Sequence, residues 1–261
     1  MFKLLKKKQL INLSASLIVL TFLTGCPGIE LDCTTKQTTK PRHLKRLIKT
    51  NNCRGCNLGD ADLKGANLKG ANLKKAKLVN ANLDGADLQK ANLSQAQLSW
   101  YDIDGGNGFG FYRTSCDVDL AASLKKANLE GADLSSANLG SVNLEGADLS
   151  SANLESVDLG GANLVNANLE GADLSNADLE GADLVNANLE GANLEGTYLT
   201  FADLENANLK GANLKDAYLA VANLKGANLE GANLESADLG GAKLEGAIMP
   251  DGTIYKEDSS K

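Results

Sequence analysis

Most of the chain repeats one pattern of apolar and polar positions every five residues. A leucine recurs at this spacing, an alanine lies two residues before nearly every leucine, and Asn or Asp lies between them. An α-helix advances about 500° in five residues, so successive leucines would not share a face. On a flat strand an odd period places successive leucines on opposite faces. The pattern therefore predicts a backbone that turns a corner in each unit, which is a solenoid whose units bury alanine and leucine against their neighbours.

The five-residue pattern occurs in two runs. The first extends from Leu58 to Ile103 with ten repeats, and the second extends from Leu124 to Met249 with 26 repeats. Leu124 follows Ile103 by four repeats and one extra position, which indicates a loop that leaves the coil.

These repeats resemble those of the pentapeptide-repeat proteins, and the resemblance covers about 180 of the 261 residues. Residues 53–58 and 249–253 are also similar to the ends of repeat domains in cyanobacterial members. The resemblance implies an all-β fold, namely a right-handed quadrilateral β-helix with four repeats per coil. We expect about nine coils, interrupted by one loop, with a short capping helix at the N-terminal end.

The capping helix is predicted from a short amphipathic segment before the repeats. Leu44, Leu47 and Ile48 are spaced i, i+3, i+4 on one helical face, and Pro41 is suited to the first turn. The surrounding region has seven bases and no acid between Cys33 and Gly59. This basic region is thus predicted to cover the end of the solenoid. Contact with anionic lipid head groups is a second interpretation, and it is compatible with the first.

The first 26 residues have the layout of a secretory signal. Four lysines within the first eight residues precede an apolar stretch at residues 10–23, which is short and mixed for a membrane span. Leu-Thr-Gly-Cys at residues 23–26 resembles a bacterial lipobox. The resemblance implies removal of residues 1–25 and acylation of Cys26. We therefore expect an exported protein, lipid-anchored on the extracytoplasmic, periplasm-facing side of the membrane. A plain signal peptide or N-terminal anchor, with Cys26 incidental, is the alternative.

The predicted organisation has seven segments. They are a signal peptide (1–25), a linker (26–40), an N-terminal cap (41–56), the first run of repeats (57–103), a loop insertion (104–119), the second run (120–249) and a C-terminal tail (250–261).

The charge and the residue composition argue against several classes of function. The formal net charge of −7 argues against direct binding to nucleic acid. His43 is the single histidine and lies in the cap, so the repeats cannot form a Ser-His-Asp set or a His-rich metal site. The Asn or Asp before each leucine recurs in every unit and is interpreted as part of the scaffold. No catalytic residue, metal or cofactor is expected.

Aromatic residues are scarce, so two clusters of them are candidate interaction surfaces. The first is in the loop region and consists of Trp100, Tyr101, Phe109, Phe111 and Tyr112. The second is predicted to lie on one face across two coils and consists of Tyr198, Phe201, Tyr218 and Val221. Each cluster has an alternative interpretation. The loop rings could fold back against the solenoid, and the second cluster could be an apolar patch without a partner.

Four cysteines remain besides Cys26. They are Cys33, Cys53, Cys56 and Cys116, and they are candidates for a structural disulfide or for free core thiols. Cys56 falls at the inward alanine position of the first repeat.

We expect a non-enzymatic, lipid-anchored scaffold for protein–protein interaction, whose protein partner the sequence does not identify. The alternative is a DNA-mimicking inhibitor or modulator of DNA gyrase, since some pentapeptide-repeat proteins resemble duplex DNA and bind that enzyme. Residues 120–249 carry 20 acids and six lysines, which supplies the charge for such mimicry. The export signal argues against this alternative.

Overall fold

The computed structural model describes residues 39–99 and 121–256, and it begins with one helix. Helix α1 spans Pro41–Thr50, with proline in its first turn, where the backbone N–H has no partner within a helix. Asn51 ends the helix in a left-handed conformation, and its N–H donates to the carbonyl of Leu47 at 2.8 Å. The Leu47 side chain is buried in the same core as the repeats.

The repeats form a four-sided solenoid in which each coil contains four repeats. The residue before each leucine forms a parallel β-bridge with its counterpart four repeats later, as in Asn168 with Asn188 and Asn188 with Asn208. These bridges extend from Asn52–Asn72 to Asn228–Ile248, and each is isolated rather than part of a longer strand. Four bridges per coil give four faces.

Leucine and alanine point inward because each repeat ends in a tight turn. The N–H of Ala187 donates to the carbonyl of Leu184 at 2.9 Å across such a turn, while Asn186 between them has a φ of 57°. The N–H of Leu184 donates to Asp203 in the next coil at 2.7 Å, which fixes the spacing of the stacked leucines. The core is therefore a continuous column of buried leucines and alanines.

The Asn or Asp of each repeat stabilises its own turn. The Oδ1 of Asp183 accepts from the N–H of Val185 at 3.1 Å, and Asn168 does the same for Glu170 at 3.3 Å. Asparagines also hydrogen-bond between coils, as the Nδ2 of Asn188 donates to the Oδ1 of Asn168 at 3.0 Å. The bond to the backbone two residues later is the one that Asx turns make, and it explains why these residues recur.

The hydrogen bonds correct the predicted boundaries of the loop. In other repeats a hydrogen bond links each alanine to the leucine that precedes it in the same turn. Here the N–H of Ala122 donates to the carbonyl of Leu98, which lies on the other side of the insertion. The insertion thus lies within the turn between Leu98 and Ala122 and is longer than the predicted 104–119. Leu124 occupies the inward position predicted for Ile103, which lies outside the described residues. The first run of repeats therefore ends at Ser99 and not at residue 103.

The solenoid also begins earlier than predicted. Asn52 forms the first bridge, and the N–H of Cys53 donates to Asn72 at 2.7 Å. Residues 52–56, which were predicted to be the last part of the cap (41–56), therefore belong to the first coil. Cys53 occupies a leucine position and Cys56 an alanine position. The pattern of recurring leucines and alanines therefore does not identify this repeat. A disulfide joins these two buried cysteines. Cys33 and Cys116 lie outside the described residues.

The chain after the last coil folds back on one face. The N–H of Tyr255 donates to Ala247 at 2.8 Å, and the N–H of Gly246 donates to Tyr255 at 3.1 Å. Within residues 39–99 and 121–256, no helix has the length and apolar character needed to cross a membrane.

Candidate protein-binding surface

Four exposed hydrophobic side chains form a cluster on one edge of two adjacent coils, which we call the aromatic patch. It consists of Tyr198, Phe201, Tyr218 and Val221, with exposed fractions of 49, 61, 46 and 47%. The rings of Tyr198 and Tyr218 are stacked, with centroids 4.9 Å apart and an angle of 3° between their planes. The structure thus brings the two tyrosines of the predicted cluster into direct contact.

The four-repeat coil positions the patch. Tyr198 and Tyr218 occupy the bridge position before leucine, where other repeats have Asn or Asp, and they bridge to each other. Phe201 and Val221 occupy the turn position two residues after the leucine, in the same two coils. Both have a φ of 60°, in the left-handed region.

An open depression lies beside the free face of Tyr198. It is lined by Ser156, Asp158, Asn176, Asp178, Glu180 and Tyr198. Burial raises the pKa of the Asp158 carboxyl, the hydrogen bond from the N–H of Gly160 opposes the shift, and the charge of Asp178 adds to it. A Cβ at Gly140 would lie 3.5 Å from the Oδ2 of Asp158, so this carboxylate leans over a glycine. The spacing of the repeats does not predict this depression.

We expect the substitution Asp158→Asn to stabilise the protein at neutral pH. With a raised pKa, the folded chain holds a proton at pH values where the unfolded chain has lost it. Stability therefore falls as the pH rises from the ordinary aspartate pKa, about 3.9, through the raised value, and then stays level. Asparagine keeps the Oδ1 that accepts from Gly160 at 3.0 Å and removes the charge. Thermal melting at pH 7 and pH 3 measures the difference.

The gain in stability should be present at pH 7 and absent at pH 3, where both side chains are neutral. Asp183→Asn is the matched control, at the same repeat position on another face, and we expect a smaller change. An equal gain at both pH values would contradict a burial effect on the Asp158 charge.

The charges of the solenoid are strongly segregated. Residues 39–99 contain 12 Lys and Arg against four acids, whereas residues 127–209 contain 15 acids and no Lys, Arg or His. The ion pairs Lys125–Glu145, Lys210–Glu230 and Lys225–Glu245 join side chains near the two ends of this acidic stretch. All three pairs are substantially exposed, so they add little stability. The residues that line the depression beside Tyr198 therefore all belong to a stretch of sequence without a basic side chain.

Other predicted site residues fall elsewhere. Cys26 and the loop aromatics Trp100, Tyr101, Phe109, Phe111 and Tyr112 lie outside the described residues. In the part of the chain that the structure describes, no group of three or more His, Cys, Asp or Glu side chains could hold a metal ion.

Isolated parallel bridges that recur once per coil, a turn in every repeat and a column of inward leucines define the chain as a four-sided β-solenoid of five-residue units. The sequence model of the pentapeptide repeats matches residues 52–84, 66–100, 121–150, 152–191, 177–216 and 212–249, in eight copies. The chain belongs to the pentapeptide-repeat family, whose solved members imply a right-handed quadrilateral β-helix.

Two solved structures illustrate the similarity. HetL, a pentapeptide repeat protein involved in heterocyst differentiation regulation from the cyanobacterium Nostoc sp. strain PCC 7120, is 35% identical, with a TM-score of 0.61. That alignment covers 78% of this chain and 91% of HetL. QnrB1, a plasmid-mediated fluoroquinolone resistance protein, is 20% identical over 67% of this chain and 83% of its own, with a TM-score of 0.51, and shares the fold. Comparison with curated proteins finds no match.

Proposed function

We propose that this chain is a non-enzymatic, lipid-anchored protein of the cell envelope, whose solenoid is a rigid scaffold for protein–protein interaction. One observation carries the proposal of binding, namely the aromatic patch on a solenoid whose other outward positions are mostly polar or small. Exposed apolar clusters with a polar surround are typical of interaction surfaces. Pentapeptide-repeat proteins are in general structural or protein-interacting rather than enzymatic.

The proposed cellular location of the scaffold is inferred from the first 26 residues. A basic segment, a short apolar stretch and the sequence Leu-Thr-Gly-Cys support export and acylation of Cys26. The anchor would hold the solenoid on the periplasm-facing side of the membrane. The basic segment at residues 39–99 follows the anchor in sequence, and its positive charge is suited to anionic lipid head groups.

Site-specific photocrosslinking in intact cells tests the scaffold function. We expect benzoylphenylalanine in place of Phe201 to give one discrete adduct with a partner, because this position lies in the patch. Asn166 is the matched control, since it is also an exposed left-handed turn residue but lies outside the patch. Equal yields from the two positions, or none from Phe201, would contradict binding at the patch.

Deletion of residues 104–119 in the same experiment tests the second candidate surface. We expect the deleted chain to keep its fold, because the coil closes between Leu98 and Ala122. Loss of the adduct supports a role of the loop in capture, whereas an unchanged yield removes that role and leaves the patch.

One observation favours the second candidate function, a DNA-mimicking inhibitor or modulator of gyrase. The 15 acids of residues 127–209 are spread over about four coils, or roughly 20 Å at ~4.8 Å per coil. Duplex DNA carries about 12 charges over that length. An exported protein would not meet gyrase, however, so the cellular location of the chain separates the two functions.

A further inference from the structure

The apolar corner residues of the patch are unfavourable for folding. Phe201 and Val221 both have a φ of 60°, while every other positive-φ residue in the described ranges is Gly, Asn, Asp, Ser, Lys or Gln. The left-handed conformation is strained for bulky and β-branched side chains. Because both side chains are about half exposed or more, burial does not offset the strain. Their presence therefore requires an explanation other than the stability of the solenoid.

The stacked tyrosines also depart from the scaffold. Asn or Asp at their position accepts a hydrogen bond from the backbone N–H two residues later, as Asp183 does. A tyrosine side chain does not supply this acceptor. Tyr198 and Tyr218 instead expose about half of each side chain and present a rigid, flat ring pair at the surface. Aromatic rings of this kind are enriched at binding interfaces, since they combine apolar area with a polar tip.

The charge around the patch indicates what it binds. Asp158, Asp178 and Glu180 line the depression next to Tyr198, and residues 127–209 provide no basic side chain to pair with them. A ligand that covers the aromatic patch would bring its neighbouring groups against these carboxylates. Charge complementarity therefore favours a cationic group attached to apolar surface.

We propose that the aromatic patch and the adjacent depression bind an arginine-bearing, partly apolar peptide segment of a partner protein. The arginine guanidinium lies between the free face of Tyr198 and the carboxylates of Asp158 and Asp178, and apolar neighbours of the arginine cover Phe201 and Val221. Arginine fits better than lysine, because its planar group stacks on a ring and donates two parallel hydrogen bonds to a carboxylate. This inference rests on the proposed scaffold function and specifies the chemistry of its partner.

The test measures binding of a defined probe to the full-length chain in non-ionic detergent. The probe is a synthetic peptide with two arginines and two leucines separated by glycines, and the immobilised protein reports its affinity by biolayer interferometry. A peptide with citrulline in place of arginine has nearly the same shape without the charge. We expect the citrulline peptide to bind at least tenfold more weakly, and the lysine version to bind with intermediate affinity. Equal binding of the citrulline peptide would overturn the proposal.

Paired variants separate the patch from general attraction by an acidic protein. We expect Asp158→Asn combined with Asp178→Asn to weaken binding about tenfold. The control combines Glu155→Gln with Glu170→Gln, removes the same charge from exposed positions outside the depression, and should change binding less than twofold. Equal losses in the two variants would mean non-specific electrostatic attraction and would overturn the proposal.

A second pair of substitutions keeps the test independent of folding. Phe201→Gly combined with Val221→Gly places in these turns the residue found at the same corner in the neighbouring coils, Gly181 and Gly241. We expect this variant to melt at a higher temperature than the wild type and to bind the arginine peptide at least fivefold more weakly. Weaker binding in a more stable protein is not expected from a merely structural role. Unchanged binding would overturn the assignment of the patch.

Two further outcomes would show which segment occupies the aromatic patch and whether arginine is the group that binds. The insertion itself carries an arginine, Arg113, beside aromatic residues. Tighter peptide binding after deletion of residues 104–119 would make this segment the occupant and would overturn a partner segment. An adduct at Phe201 in cells without peptide binding in vitro would overturn the arginine chemistry alone and leave the scaffold function in place.

Discussion

Replacing Leu184 with alanine is expected to destabilise the solenoid by about 2–5 kcal/mol, the usual range for a buried leucine. Leu184 is completely buried in the central column, between leucines of the preceding and following coils. The backbone hydrogen bonds from Leu164 to Asp183 and from Leu184 to Asp203, both 2.7 Å, hold the coil spacing on the two sides of the cavity. The walls therefore have little freedom to close, and urea unfolding followed by circular dichroism measures the loss.

The neighbouring residue provides the matched control. Val185 points outward from the same repeat, and Val185→Ala should cost about 0.5 kcal/mol or less. A similar loss of stability for the two variants would mean that the inward column is not the main source of stability. It would also contradict the division of each repeat into inward and outward positions.

The period of five was sufficient to predict a solenoid, because neither a helix nor a strand can place every leucine on one side. The expected stacking of residues four repeats apart likewise placed Tyr198 beside Tyr218. The recurrent Asn and Asp were correctly interpreted as scaffold in physical terms, since the Oδ1 of Asp183 and that of Asn168 each accept from a nearby backbone N–H.

Where the pattern was misleading, the reason is that it records spacing and not hydrogen bonds. Ile103 follows Leu98 by five positions and so fits the repeat in sequence, yet the bond from Ala122 to Leu98 closes the coil without it. Cys53 fills a leucine position in the first coil, but a cysteine carries no sign of the repeat. The end of the first run depends on backbone pairing that spacing does not determine, whereas its start was hidden by residue type.

The candidate site was only partly predictable. The four patch residues were visible as departures from polar outward positions, whereas the burial of Asp158 depends on the glycines around it. One signal in the sequence could have indicated the strained turns, because within residues 39–99 and 121–256 the position two residues after leucine is otherwise glycine or a polar residue. The absence of basic residues from 127 to 209 was another such signal.

The second large effect is expected from Cys26→Ala. In the proposed lipoprotein, acylation of Cys26 provides the covalent link between the solenoid and the membrane. A single myristoyl-sized chain gives only marginal, reversible binding, and stable anchoring requires more than one such attachment. Loss of the acylated cysteine should therefore shift nearly all of the protein out of its normal fraction or leave it unprocessed. Cys33→Ala is the matched control and should fractionate like the wild type.

The most direct test of an envelope-anchored scaffold is cell fractionation of the wild type beside Cys26→Ala, combined with the intact mass of the mature protein. We predict a membrane-bound, detergent-extractable wild type whose mass equals residues 26–261 plus acyl chains, and a mislocalised or unprocessed variant. A cytoplasmic wild type that retains Met1 and carries no lipid would contradict the central claim, and inhibition of gyrase would then be the function to test.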